Sequence, residues 1–167
     1  GTGTIGYWTN KNGLAAWDSL TPKNLVDDPV TVDPTKVQGI LIGDFNRNGV
    51  TDNGEKTIFY SVTEARTILN TSTATEGQDA RYILDKQLVA TWLNVLADNT
   101  YDTLFASIKQ DIANGVQWIQ KATPDENGDG IGDGSLTLAG STKLPSSDPR
   151  WSTTLGVGGN GNSYGSQ

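Results

Sequence analysis

Apolar residues in the middle of the chain recur at helical spacing. Between Asp79 and Ala97, Ile83, Leu84, Leu88, Trp92, Val95 and Leu96 fall three and four residues apart. Val89, Ala90 and Leu93 widen that arc, which predicts a central helix capped by Asp79 and buried on most sides. A second stripe of Leu104, Phe105, Ile108, Ile112, Val116 and Ile119 predicts a helix from about Asp102 to Lys121. Gly115 inside it costs roughly 1 kcal/mol relative to alanine and permits close helix packing. Asp98-Asn99-Thr100 breaks the pattern between the two, so they are expected as an antiparallel pair. Ser61-Val62-Thr63-Glu64 is a capping box that opens a shorter helix to about Asn70, with Ala65, Ile68 and Leu69 inward.

Strand patterns are fewer. Val37 to Ile42 and Thr57 to Tyr60 are rich in β-formers. Ser19 to Val37, with three prolines and Asp27, Asp28 and Asp33, lacks periodicity and is expected as an irregular surface loop. Thr71 to Gln78 reads as a polar connector. The expected fold class is therefore mainly α: a small domain of three main helices with a β-hairpin. Residues 1–155 form one domain in this scheme, and 156–167 a Gly/Ser/Asn-rich tail.

The turn of that hairpin carries the clearest chemistry. In Asp44 to Glu55, oxygen side chains stand at loop positions 1, 3, 5, 9 and 12, and a glycine stands at position 6, the EF-hand calcium pattern. Calcium takes six to eight oxygens in a flexible shell. Asp44, Asn46 and Asn48 would each offer a side-chain oxygen, Val50 its carbonyl, Asp52 an oxygen direct or through water, and Glu55 both of its own. Gly49 permits the sharp turn that points them inward. A second stretch, Asp125 to Gly134, repeats the pattern through Asp125, Asn127, Asp129, Gly130, Ile131 and Asp133. Its position 12 is Leu136, so a cation there needs a further ligand or more water. One or two Ca2+ ions are the cofactor expected. Either stretch could instead be a solvated polar turn.

Composition narrows the function. The net charge of -7 argues against nucleic acid, whose phosphates require basic patches. Cysteine and histidine are both absent, which removes disulfides, thiolate metal sites, His-based triads and the commonest general base. No apolar run is long enough to span a membrane. Nothing resembles a signal peptide, and a start at Gly1 reads as a mature or trimmed chain. Low charge density and calcium-type loops suit an extracellular setting, where calcium is millimolar. A glycosidase would need two acids facing each other across a sugar bond. Asp18, Asp27, Asp28 and Asp85 show no apolar setting in the sequence that would raise a pKa, and Ser107-Ile108-Lys109 has the wrong spacing for Ser-Lys hydrolysis. A non-catalytic protein is expected.

The aromatics Tyr7, Trp8 and Trp17 have two possible roles. They plug one end of the core, the preferred reading, or they stack on a sugar ring or partner surface.

Thr4-Ile5-Gly6-Tyr7-Trp8, Ile68-Leu69-Asn70 and the run from Ile83 to Asn94 together resemble a group of bacterial extracellular domains of largely unknown function, the GYWKNH type. The Lys-Asn-His of that pattern is replaced here by Thr9-Asn10-Lys11, so no role of that histidine carries over. Asp44 to Glu55 looks like dockerin or EF-hand loops, and Asp125 to Asp133 looks like thrombospondin type 3 repeats. These likenesses are local. The resemblance implies a secreted or surface-anchored module, and it supplies no catalytic residue. The expected function is a calcium-stabilised structural or adhesion module with a protein or glycan partner. Alternatives are a self-associating subunit of an extracellular filament or surface layer, and a glycan-binding module or accessory domain of a secreted hydrolase.

Overall fold

The long apolar stripe forms the helix on which the other elements pack. The computed structural model describes residues 5–9, 25–29, 38–70, 79–97, 105–125 and 128–134. Their elements run α1 (Ile5–Thr9), β1 (Val26–Asp27), β2 (Gln38–Ile42), β3 (Ile58–Ser61), α2 (Val62–Asn70), α3 (Ala80–Leu96) and α4 (Phe105–Ala122). Trp17, the 71–78 connector, Asn127, Leu136 and the 156–167 tail lie outside the described residues.

The mainly α expectation is overturned. The described residues form an α+β fold, with a three-stranded antiparallel sheet in the order β1-β2-β3. β2 and β3 pair with Ile40 opposite Tyr60 and Ile42 opposite Ile58, and the Asp44–Glu55 loop joins them. The strand missed in the sequence is β1, where Val26 pairs with Gly39 and Asp27 with Gln38 inside the supposed irregular loop. Two residues are too few to show an alternation, so only the partner strand defines them. β2 is buried from Gly39 onward because both sheet faces are covered there, which explains its unbroken apolar run. Ile40, Ile42, Ile58 and Tyr60 join the core shared with α2, α3 and α4.

Helix starts follow local chemistry. The Ser61 amide donates to Glu64 Oε1 and the Glu64 amide to Ser61 Oγ, each at 3.1 Å, a reciprocal capping box opening α2. Asp79 caps α3 by accepting the Arg81 amide at 3.1 Å. The α3 polar stripe is narrow, running through Ile83 and Gln87 to the half-buried Thr91 and Asn94. Ile83, assigned inward by its spacing, is therefore 36% exposed, while Asp85 is enclosed.

α3 and α4 pack antiparallel. Leu88 lies against Gly115, where an added Cβ would come within 2.8 Å of a Leu88 methyl. Arg81, at the start of α3, donates to the Ala122 carbonyl at the end of α4, at 3.0 Å. Buried Arg81 also grips Asp79 in a fork, with Nε to Oδ1 at 3.0 Å and a terminal nitrogen to Oδ2 at 2.7 Å. One carboxylate thus caps α3 and neutralises the cation that ties α3 to α4. Asp79→Ala should cost about 3–5 kcal/mol, the scale for leaving a buried charge uncompensated, read as a lower urea midpoint with an unchanged slope.

Candidate metal centre

The loop from Asp44 to Glu55 is shaped by its own side-chain oxygens. Asp44 Oδ2 accepts the Gly49 amide at 2.8 Å, Asn46 Oδ1 the Asn48 amide at 3.2 Å, and Asn48 Oδ1 the Val50 amide at 3.1 Å. Gly49 holds φ 80°, the left-handed conformation glycine adopts without a Cβ penalty. The loop closes through Glu55 Oε1, which accepts the Asp52 amide at 2.9 Å. One carboxylate oxygen from each of Asp44, Asp52 and Glu55 lies within 4.8 Å of the others, a group that could hold a metal ion.

Asp44 decides how this group is read. It is only 2% exposed, and its Oδ1 has no hydrogen-bond partner although Oδ2 is satisfied. A buried acceptor left without a partner typically costs about 1–3 kcal/mol, and more when charged. The neighbours sharpen the imbalance. Partial burial pushes Glu55 above the usual carboxyl range, and the nearby Asp52 and Asp44 charges push the same way. Asp52 is held below that range, chiefly by the Asn46 side-chain amide. The Asn46 and Asn48 Nδ2 groups each donate to Asp52 Oδ2 at 2.6 Å, positive dipoles turned onto the carboxylate. A hard divalent cation among these oxygens would satisfy Asp44 Oδ1 and relieve the crowding at Glu55. The donor set fits such an ion, being all oxygen with three carboxylates. Val50 sits at position 7, exposed as a side chain, which leaves its carbonyl as its possible contribution.

This loop is also fastened to the helices, by residues the ligand pattern passes over. Arg47 donates to the Val95 carbonyl at 2.6 Å, serving one of the last-turn carbonyls that α3 cannot satisfy itself. Its own backbone takes φ 57°, unusual for a residue with a side chain. Phe45 packs edge-on against Trp92, centroids 5.6 Å apart, with the Lys109 ammonium 5.5 Å from its centroid. At the exit, Gln120 of α4 donates to the Thr57 carbonyl at 2.9 Å. An aromatic and a basic residue between ligand positions are the only sequence signal of this docking.

The second acidic stretch makes the same turn with less support. Asp125 Oδ2 accepts the Gly130 amide at 2.7 Å, the same one-to-six contact as Asp44 to Gly49, and Oδ1 accepts the Gly128 amide at 2.8 Å. Asp129 Oδ1 accepts the Ile131 amide at 2.8 Å. Asp125, Asp129 and Asp133 also bring oxygens within 4.8 Å of one another, but the first two are exposed. The loop folds onto the end of α4: the Asp133 amide donates to the Pro124 carbonyl at 2.9 Å, and the Gly134 amide to Thr123 Oγ1 at 2.9 Å.

Of the amino-terminal aromatics, Trp8 follows the preferred core reading, whereas the reading of Asp85 changes. Trp8 is 1% exposed within the core, so its face is closed to a ligand, whereas Tyr7 is 39% exposed and packs edge-on against it. Asp85, expected to lack an apolar setting, is wholly buried, and that burial raises its pKa from 3.8 to about 7. Helical spacing could have flagged it, because Asp85 falls one turn before Leu88 and Val89 on the inner face.

Comparison with protein-family models, with curated proteins and with solved structures gives no match to this chain. The site therefore rests on its own geometry. Arg47→Ala should lower stability by about 1–2 kcal/mol through loss of a charge-assisted hydrogen bond, and hydrogen exchange should quicken at the end of α3 as the Val95 carbonyl, shared with the Ala97 amide, loses its charged donor.

Proposed function

We propose that this protein is a calcium-stabilised module working outside the cell as a structural or adhesive element rather than as an enzyme. The observation that carries this reading is the buried, unpartnered Oδ1 of Asp44, a carboxylate grouped with those of Asp52 and Glu55. Asp44, Asn46, Asn48, Asp52, Glu55 and the Val50 carbonyl would hold the ion. The second stretch would take a more weakly held ion through Asp125, Asn127, Asp129, Ile131 and Asp133. Bound calcium would freeze loops already strapped to α3 and α4. Millimolar extracellular calcium suits sites of this kind, and calcium at ten times its dissociation constant adds about 1.4 kcal/mol per site.

The non-catalytic part of the reading is supported by the setting of Asp85. Its carboxyl, moved toward neutrality, is fully enclosed and so is closed to a substrate. Tyr7 remains the exposed aromatic of the amino-terminal pair for a protein or glycan partner. Self-association into a filament or layer is the alternative, and sedimentation with and without calcium separates the two.

Calorimetry should record calcium binding at millimolar or lower concentration, with a rise in melting temperature that chelator reverses. Absence of both overturns the proposal. Glu55→Gln should weaken the tighter site at least about tenfold, the scale of a lost charged ligand. Binding should weaken from pH 7 to pH 5, because the raised Glu55 pKa means a proton competes with the cation. Asp44→Asn should reverse sign with conditions. In chelator it should match or exceed the wild type in stability, by up to about 2 kcal/mol, because a lone buried carboxylate oxygen is removed. In saturating calcium it should be the less stable protein.

A further inference from the structure

The Tyr60 hydroxyl lies between two acceptors, and it has one proton to give. On one side is Asp85 Oδ2, within hydrogen-bond contact, and on the other is the Gly134 carbonyl at 2.8 Å. All three groups are enclosed where β3, α3 and the end of the second acidic loop meet. If Asp85 is ionised, Tyr60 can serve only one acceptor, and a carboxylate or a carbonyl is left bare in a dry site. If Asp85 is protonated, its O–H donates to the Tyr60 oxygen and the Tyr60 O–H donates to Gly134, so every donor and acceptor in the row is used. Asp85 Oδ1 has no hydrogen-bond partner, which a neutral acid tolerates far better than a carboxylate. Gly134 is built for this approach: at φ 81°, an added Cβ would stand 2.7 Å from the Tyr60 oxygen and 2.8 Å from an Ile58 methyl.

We propose that Asp85, Tyr60 and Gly134 form a protonated latch that clamps the second acidic loop to the core, and that loss of the Asp85 proton releases the loop. The surroundings favour the proton. Burial raises the Asp85 pKa to about 7, against a lowering by the Tyr60 hydrogen bond. Tyr60 is pushed well above 10, first by burial and then by the Asp85 charge, with Glu64 of α2 and Tyr82 of α3 adding in the same direction. Of the cations on α3, Arg81 is committed to Asp79, and Lys86 follows Asp85 directly in sequence. Asp133 adjoins Gly134 on the loop. The sign follows from proton counting. The folded state binds one more proton than the unfolded chain between about pH 4 and 7, so the contribution of Asp85 to stability is full below pH 4 and is lost as pH rises to 7.

The test compares wild type with Asp85→Asn in chelator, so that its outcome is independent of calcium binding. The side-chain amide of the Asp85→Asn variant donates to Tyr60 at every pH. The wild-type folding constant relative to Asp85→Asn should fall up to about tenfold per pH unit between pH 4 and 7, then level off. Hydrogen-exchange protection of residues 128–134, corrected for intrinsic rates, should drop in wild type between pH 5.5 and 8.5 and stay constant in Asp85→Asn. Tyr60→Phe should lose that protection at all pH values. Constant wild-type protection, or an equal drop in Asp85→Asn, overturns the latch. Should Asp85→Asn fail to fold, carboxyl carbon NMR of the wild type decides. Titration of Asp85 near neutrality together with a shift of the Gly134 amide supports the latch, and titration in the ordinary aspartate range overturns it.

Discussion

Burial of α3 on nearly every side sets the terms for the rest of the molecule. A helix in that position carries its terminal polar groups and any charged side chains into a dry interior, where each must find a partner. Arg81 finds Asp79 and the Ala122 carbonyl, Asp85 finds Tyr60, and the Val95 carbonyl finds Arg47. None of these partners comes from apolar packing, and two of the four, Asp79 and Arg47, come from segments that connect helices and strands. The polar requirements of one helix therefore decide where the loops lie.

The two acidic stretches are attached to this frame at different depths. The first is anchored by Arg47 and Phe45 to α3 and by Gln120 of α4 to its exit, and its leading acid is drawn inside. The second rests on the end of α4 and reaches the core through Gly134 and Tyr60. Both use an aspartate to grip the amide of a glycine five residues on, so the same local code builds both turns. Among the described residues, only the first buries a carboxylate oxygen without a partner, and on that difference the two sites are ranked.

A chain without cysteine cannot cross-link its loops covalently, and 167 residues with long Gly- and Asp-rich segments leave much loop entropy to offset. Under the proposed function, cations supply that restraint, and they do so only where calcium is plentiful. The proposed latch adds a second, proton-dependent restraint on the weaker loop. Metal and proton would then act on separate loops through separate residues, the first at Asp44 and Glu55 and the second at Asp85.

Local chemistry was legible without coordinates wherever the cause and the effect lie within a few residues. The capping box at Ser61 and Glu64, the Asp79 cap, the inward positions of α3 other than Ile83, those of α4 from Ile108 on, and the close packing at Gly115 are all short-range patterns, and the structure places each of them. The spacing of Asp44 to Glu55 is short-range too, and there the structure gathers the acids Asp44, Asp52 and Glu55. What the sequence could not disclose depends on partners distant in the chain. β1 exists because Gln38 and Gly39 lie beside it, and with it the fold becomes α+β rather than mainly α. Ile83 and Asp85 exchange their expected exposures because the face that holds Asp85 is turned to Tyr60 of the sheet, which also meets Gly134 of the second acidic loop. Asp44 Oδ1 becomes a candidate ligand, and Asp85 a proton carrier, because tertiary packing removes water from them, and desolvation has no signature in residue spacing.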